Sequence, residues 1–317
     1  MQEINEGAGT GGGTGAILVT GATGNVGRAV VEVLLGAGTT VRATGRSRDS
    51  VSRMFGDRVE SVALDFTDPS TWAAAFTGVR RMFLLRPPRL GKPKVQMFPA
   101  LEFARAQGVE HIVFLSLQGA EKNKVVPHAA IESWVRQSGI RWTFIRASFF
   151  HQNLSTTHLT DIRDRSDLLV PAGRGATAFV DAQDVGAVAA TALLNSRRYA
   201  DQALTVTGDE ALTYARIAQI LTAELGRPIR YARPGALRYL IHARRNLRMP
   251  WGMVLVTVAI YTTARLGMAA GLTDTVREVL GREPIRFDQF AHRERDCWMP
   301  AAGESGSIEG QSDSAFN

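Results

Sequence analysis

The chain has 317 residues, 45% of them apolar and 21% charged, with a formal charge of +7, which excludes disorder throughout and allows one large domain or two smaller ones. Its single cysteine, Cys297, excludes an internal disulfide, and no basic stretch followed by an apolar run marks a secretory leader, so a cytoplasmic location is expected. Six histidines and one cysteine show no ligand spacing, and no metal site is expected.

Residues 1–15 hold a Gly/Thr-rich run and residues 301–317 are similarly small and polar, so both are expected to be disordered tails. Between them, β-branched apolar runs at 16–20, 41–45, 59–65, 81–86, 111–117 and 141–148 alternate with segments of helical period. That alternation predicts βαβ units and a Rossmann-type, doubly wound parallel sheet in an α/β fold. Val26, Val30, Val33 and Leu34 share one helical face, as do Leu101, Phe103 and Ala104 near Val109. Gly36, Gly38, Gly108 and Gly139 stand where these helices should stop. Further on, a helix is predicted over 182–194, a strand over 203–207 and a helix over 214–225, followed by a helix-rich, basic region to about Trp298.

The segment from Thr20 to Gly27, TGATGNVG, places Gly21, Gly24 and Gly27 in a G-x-x-G-x-x-G turn between the first strand and the first helix. Glycine permits the tight turn and close backbone approach to a pyrophosphate, and the helix N-terminus offers free N–H groups and a favourable dipole. Thr23, Asn25 and Val26 complete this cofactor cradle. A dinucleotide site for NAD usually has an acid at the end of the second strand; here Arg46, Ser47 and Arg48 follow Gly45. A guanidinium suits a 2′-phosphate, so NADP(H) is expected in preference to NAD(H), a solvated loop being the alternative. On this reading residues 16–155 form the NADP-binding domain, and 156–300 a substrate-binding region in which 182–208 return to the Rossmann sheet.

Together TGATGNVG, LDFTD (64–68), FLLRPP (83–88), FLSLQGAE (114–121), PHAAIE (127–132), TFIRASFFHQNL (143–154) and FVDAQDV (179–185) resemble the NmrA-like atypical short-chain dehydrogenases. That group includes type 2 quinone oxidoreductases and triphenylmethane-reductase-like proteins. The resemblance covers about residues 16–298. It implies that Asp65 and Phe66 flank an adenine ring and that Leu85, Arg86 and Pro87 belong to a loop beside the ribose and nicotinamide. It further implies that Ser116 ends a strand facing the nicotinamide and that Phe149, Phe150, Gln152 and Asn153 line the substrate side. Asp184 resembles the acid that opens the following helix, and is expected to be its N-cap.

Most short-chain dehydrogenases carry a Tyr-x-x-x-Lys pair, where this chain reads His128-Ala-Ala-Ile-Glu132. The i, i+4 spacing puts both side chains on one helix face. His128 follows Pro127 at a helix start, where the dipole favours a neutral imidazole that Glu132 could orient towards an oxygen gaining charge. An exposed surface pair is the alternative. His128, Glu132 and Ser116 are therefore the catalytic candidates. A conjugated acceptor such as a quinone demands less acid assistance than a ketone, because hydride addition yields a delocalised anion. The expected activity is thus NADPH-dependent reduction of an apolar or aromatic small molecule, with a non-catalytic NADP-sensing regulator as the alternative.

Residues 227–248 contain seven arginines, and no acid occurs from Leu225 to Thr273. A solvated helix is the expectation, with a membrane surface the lesser reading and nucleic acid disfavoured for want of a binding motif. The uncharged stretch 249–264 is shorter than the ~20 residues of a spanning helix, and a buried helix is expected there. For residues 251–271 a membrane-binding helix, a substrate-pocket wall and a homodimer face are all open; the resemblance implies the pocket wall, with Tyr261 and Arg265 as its candidates.

Overall fold

The computed structural model describes residues 15–299; apart from Gly15, both expected tails lie outside the described residues. The chain divides into two compact units. One comprises residues 15–150 with Phe179–Asp209 and Leu272–Ile285, and the other comprises His151–Ala178, Glu210–Gly271 and the residues from Arg286 onwards.

The first unit is built on a parallel seven-stranded sheet. In spatial order the strands are Gln202–Val206, Arg141–Ala147, His111–Leu117, Arg81–Leu84, Ile17–Val19, Val41–Gly45 and Glu60–Ala63. Helices cover both faces, so the strands are apolar on both sides, and their period of two sorts side chains between two cores. Ile17 and Val19 join a cluster with Val30, Val113, Val185 and Val206. Leu18, between them, joins Phe76, Met82, Leu101, Ile112 and Phe144 in the other. Chain order reverses between Ile17–Val19 and Arg81–Leu84, and the carboxyl ends of these two strands bound the crevice where open α/β sheets bind ligands.

The predicted strands all form, with ends that differ from the prediction by at most two residues. The helices Asn25–Gly36, Phe98–Ala106 and Pro127–Gln137 each finish two residues before Gly38, Gly108 and Gly139. The helix Ala182–Leu194 also forms as predicted, but its N-cap is Asp181, whose carboxylate accepts from the Gln183 N–H at 2.8 Å. The expected role of Asp184 is thereby corrected. Asp181 has the extended backbone that a cap requires, whereas Asp184 lies inside the first turn and is fully buried. There it accepts from the Ile285 N–H at 2.7 Å and pairs with Arg282 at 2.7 Å, while burial holds its carboxyl above the usual value.

The second unit carries two small pairings, Ala211–Thr213 antiparallel to residues 176–178 and Arg230–Tyr231 parallel to Asp167–Leu168. Its helices are Leu159–Arg165, Tyr214–Leu225, Ala236–Arg245, Trp251–Arg265 and Phe287–Arg293. Arg227, the first arginine of the basic segment, is not a solvated side chain. It is half-buried and donates to Ser166 Oγ and to the carbonyls of Ile162, Arg163 and Trp298. Among the described residues no helix is long and apolar enough to cross a membrane.

The helices Asn25–Gly36 and Ala182–Leu194 pack face to face, and a Cβ added at Gly186 would lie 2.4 Å from the Ala29 Cβ and 3.0 Å from the Val30 nitrogen. Gly186→Val should therefore overpack this contact and lower unfolding free energy by about 1–3 kcal/mol, measurable by urea denaturation.

Candidate functional site

The turn after the first strand is held by backbone geometry. Gly21 has φ +64°, a left-handed conformation that favours glycine. A Cβ on Gly27 would lie 2.2 Å from the Gly21 carbonyl oxygen, so no side chain fits there. Gly24 is the N-cap of the helix Asn25–Gly36 and no side chain caps that helix. The first-turn N–H groups of Asn25, Val26 and Gly27 consequently sit at an uncapped, electropositive helix end. Thr20 ties the turn to the neighbouring strand: its hydroxyl donates to Phe83 O at 3.0 Å and accepts from the Leu85 N–H at 2.8 Å. Thr23 is exposed in the turn.

At the end of the second strand, Arg46 and Arg48 are exposed and make no hydrogen bond or ion pair to another described residue. Ser47 is not similarly available. Its hydroxyl caps the helix Arg48–Phe55 by accepting from the Ser50 N–H at 3.3 Å. Asp65 accepts from the Thr67 N–H at 2.9 Å and its hydroxyl at 2.7 Å, and pairs with Arg89 at 2.8 Å; the Thr67 bonds, with Arg89, hold its carboxyl below the usual range. Phe66 is buried in the core cluster that includes Leu18.

Leu85 lies against Gly21, with Cδ2 3.1 Å from the position a Cβ there would take. Arg86 clasps its own loop, donating to the carbonyls of Pro87, Pro88 and Leu90 at 3.0–3.2 Å. Burial lowers its guanidinium pKa, and its Nε is buried without a partner.

His128 and Glu132 share the helix Pro127–Gln137 but are not joined. Glu132 is 1% exposed, which removes the surface-pair alternative for it. Its Oε1 accepts from Ser116 Oγ at 2.6 Å and Arg146 Nε at 3.1 Å, and its Oε2 from Arg146 at 2.7 Å and Arg136 at 3.2 Å. Arg146 also pairs with Glu121 at 3.1 Å. Burial alone would raise the Glu132 carboxyl, but the bonds from Arg146 and Ser116 and the charges of Arg146 and Arg136 outweigh it and hold the group below its ordinary value. The expectation that Glu132 orients His128 is corrected accordingly: its lone pairs are committed to Ser116 and the arginines.

The His128 ring stacks on Phe114 with centroids 5.9 Å apart, and its Nδ1 is buried without a hydrogen-bond partner. Burial, reinforced by the charge of Arg86, pushes its pKa down to about 4, Glu132 opposing weakly. The imidazole is neutral at neutral pH, chiefly through desolvation rather than the helix dipole. Ser148, at the end of the strand Arg141–Ala147, adds another buried hydroxyl without a partner. Sequence reasoning assigned no role to Thr20 or Arg146, although both lie in quoted motifs, because nothing local shows which element each one bridges.

Of the substrate-side residues, Phe149 and Phe150 are half-buried in the first unit, Phe149 edge-on to Phe179. Gln152, Asn153 and Tyr261 belong to the second unit. Gln152 is buried and Asn153 half-buried. Tyr261 is 6% exposed, bonded through its hydroxyl to His158 Nε2 at 2.8 Å, and packed edge-on against Tyr214 and Tyr239. Arg265 lies over Gly173. Among the described residues no group of His, Cys, Asp and Glu side chains is placed to hold a metal ion.

A family model described as "NmrA-like family" matches residues 13–248. Among curated proteins, an NAD(P)H azoreductase of Xenophilus azovorans is 34% identical over 283 residues, covering 87% of this chain and 96% of that protein. Among solved structures, an NADPH-dependent quinone oxidoreductase of Escherichia coli complexed with NADPH has a TM-score of 0.78 at 21% identity, over 87% of this chain and 99% of the other. Citrobacter sp. triphenylmethane reductase complexed with NADP(H) has a TM-score of 0.76 at 23% identity, over 88% and 99%. At those identities the two structures establish likeness of fold.

Removing Glu132 would leave the largely buried Arg146 with only the half-exposed Glu121 as an acidic partner and Ser116 Oγ without its acceptor, so Glu132→Ala should cost about 2–3 kcal/mol in urea unfolding. Because the Glu132 pKa is depressed in the folded state, its contribution is fully present above the ordinary glutamate value of about 4.3 and is lost as pH falls through the folded value. Glu132→Gln should flatten the acid limb of the stability curve below that value.

Proposed function

The chain belongs to the NmrA-like family, and from that premise we propose that it is an NADPH-dependent oxidoreductase acting on a quinone or another conjugated, largely apolar small molecule. The observation that carries the reading is the uncapped N-terminus of the helix Asn25–Gly36 behind a turn with no room for a side chain at Gly27. An anion supplies the cap that the protein omits.

The residues present fit a nicotinamide dinucleotide phosphate. The N–H groups of Asn25, Val26 and Gly27 would hold its pyrophosphate, and Arg46, free of internal partners, its 2′-phosphate. Bound there, the cofactor supplies the hydride. The side chains around the carboxyl ends of the strands supply orientation and a dry environment. Ser116 and Arg146 fix Glu132 as a carboxylate, so Glu132 is a positioning group and not a proton donor at neutral pH. His128 is neutral and can give or take a hydrogen bond through its unpartnered Nδ1, according to tautomer.

This set of side chains lacks a strong acid, which suits an acceptor whose reduced form delocalises its charge. The acceptors named for the relatives, azo compounds, quinones and triphenylmethane dyes, are all conjugated. They support the acceptor class and leave its member to experiment.

Anaerobic NADPH oxidation with a panel of quinones, enones and azo dyes should be saturable, with NADH the poorer donor. Tight NADPH binding without consumption by any acceptor would overturn the reading and leave the NADP-sensing alternative. Arg46→Ala should weaken NADPH binding by about 10- to 100-fold, the worth of one charge-assisted hydrogen bond, and leave NADH affinity unchanged by fluorescence titration. His128→Ala should lower kcat by about tenfold equally across pH 6–9, because a group with a pKa near 4 does not titrate in that range.

A further inference from the structure

The helix Trp251–Arg265 buries only Val254, Tyr261 and Ala264, which corrects the expectation of a buried helix: its apolar residues spread round the helix, and only one side packs against the rest of its unit. Its outer face is apolar: Trp251 is 58% exposed, Leu255 61% and Val256 53%, with Met253 and Ile260 beside them. No charged residue occurs between Trp251 and Ala264. The three threonines on this helix spend their hydroxyls on its own carbonyls, Thr257 on Met253 O, Thr262 on Val258 O and Thr263 on Ile260 O, all at 2.7–2.8 Å. The outward face therefore offers no free hydroxyl proton.

The helix Ala236–Arg245 packs beside it. At 100° per residue, Leu237, Arg238, Ile241 and Arg245 fall within about one third of a turn, and all four are exposed. Around the pair of helices, Arg230, Arg233, Arg248 and Arg265 are also exposed, and none of these arginines pairs with an acid among the described residues. No acid occurs anywhere from Leu225 to Thr273.

We propose that this helical pair is a monotopic docking surface for an anionic phospholipid bilayer. An exposed apolar helix face beside a helix with exposed, unpaired arginines, one of which, Arg244, sits 5.8 Å over the Trp251 ring, matches the boundary between acyl chains and negatively charged headgroups, with arginine stems along apolar surface and guanidinium groups at the phosphates. Fifteen residues give a helix of about 22 Å, short of the ~30 Å hydrocarbon core, so the helix lies in the interface and does not span. A second copy of the chain is a poor occupant. A two-fold interface sets the same patch against itself, which would oppose two clusters of unpaired arginines. A folded protein partner is a poorer match than a bilayer because protein interfaces rely on about one hydrogen bond per 100–200 Å², and the hydroxyls here are already spent.

The inference does not rest on the oxidoreductase reading, and its test needs no cofactor or acceptor. The full chain is floated with vesicles of phosphatidylcholine alone or phosphatidylcholine with phosphatidylglycerol. Binding should be at least about tenfold greater on the anionic vesicles, as a few arginines at the surface require, and should fall as salt is raised. Leu255→Glu and Arg245→Glu should each reduce binding with thermal unfolding unchanged, while Val95→Glu, an exposed apolar position in the other unit, should leave it intact. Absence of binding to anionic vesicles would overturn the proposal, as would binding insensitive to Leu255→Glu. A dimer in sedimentation velocity that Leu255→Glu splits would also overturn it and assign the face to a second copy.

Discussion

Between its first strand and first helix the backbone folds so close to itself that the Gly21 carbonyl occupies the space a side chain on Gly27 would need. That steric constraint brings the helix down onto the strand at the point where the sheet reverses its chain order. It also leaves the first-turn N–H groups without a partner from the chain. Thr20 extends the effect across the crevice, because one hydroxyl bonds both Phe83 and Leu85 and so fixes the loop that Arg86 then clasps. A single close approach thereby sets the shape of both walls of the candidate site.

The molecule treats its charges in two contrasting ways. Inside, three buried carboxyl groups have basic partners: Glu132 with Arg146, Asp161 with His242 and Arg165, Asp184 with Arg282. Burying any of these unpaired would cost several kcal/mol, and each pair joins segments distant in sequence or successive turns of one helix. Outside, the exposed arginines from Arg230 to Arg265 have no acidic partner among the described residues, and a solvated guanidinium bears little penalty for that. Exposed charge without an acidic partner is available to something outside the chain.

Much of the fold could be read directly because its signals are local. The runs around Leu18, Val113 and Ile145 are β-branched and apolar on both faces, and Thr213 with Gly226 bracket a helix whose limits match the prediction. The glycine turn was legible for the same reason, since its three glycines occupy consecutive turns of one motif. What escaped were relations between elements. FVDAQDV holds two aspartates three residues apart, and only the backbone conformation shows that Asp181 caps while Asp184 is buried. The partner of Glu132 is Arg146, 14 residues away on a strand, so His128 at i−4 looked the nearer partner. Arg227 resembled its basic neighbours in sequence, and only the fold turns it inward towards Trp298.

The segment Leu272–Ile285 belongs to the same unit as the strands, although about sixty residues of the other unit precede it in the chain. Asp184 lies in the helix Ala182–Leu194, just after the chain re-enters this unit, and its guanidinium and amide partners arrive only with Arg282 and Ile285, the latter 101 residues later. A polypeptide emerging from the ribosome therefore holds the Asp184 carboxyl without these partners until residues 282–285 have been made. Domains generally fold as units during synthesis, N-terminal first. Here the first unit cannot be completed before Glu210–Gly271 of the other have been synthesised, so maturation of the two is tied together in time.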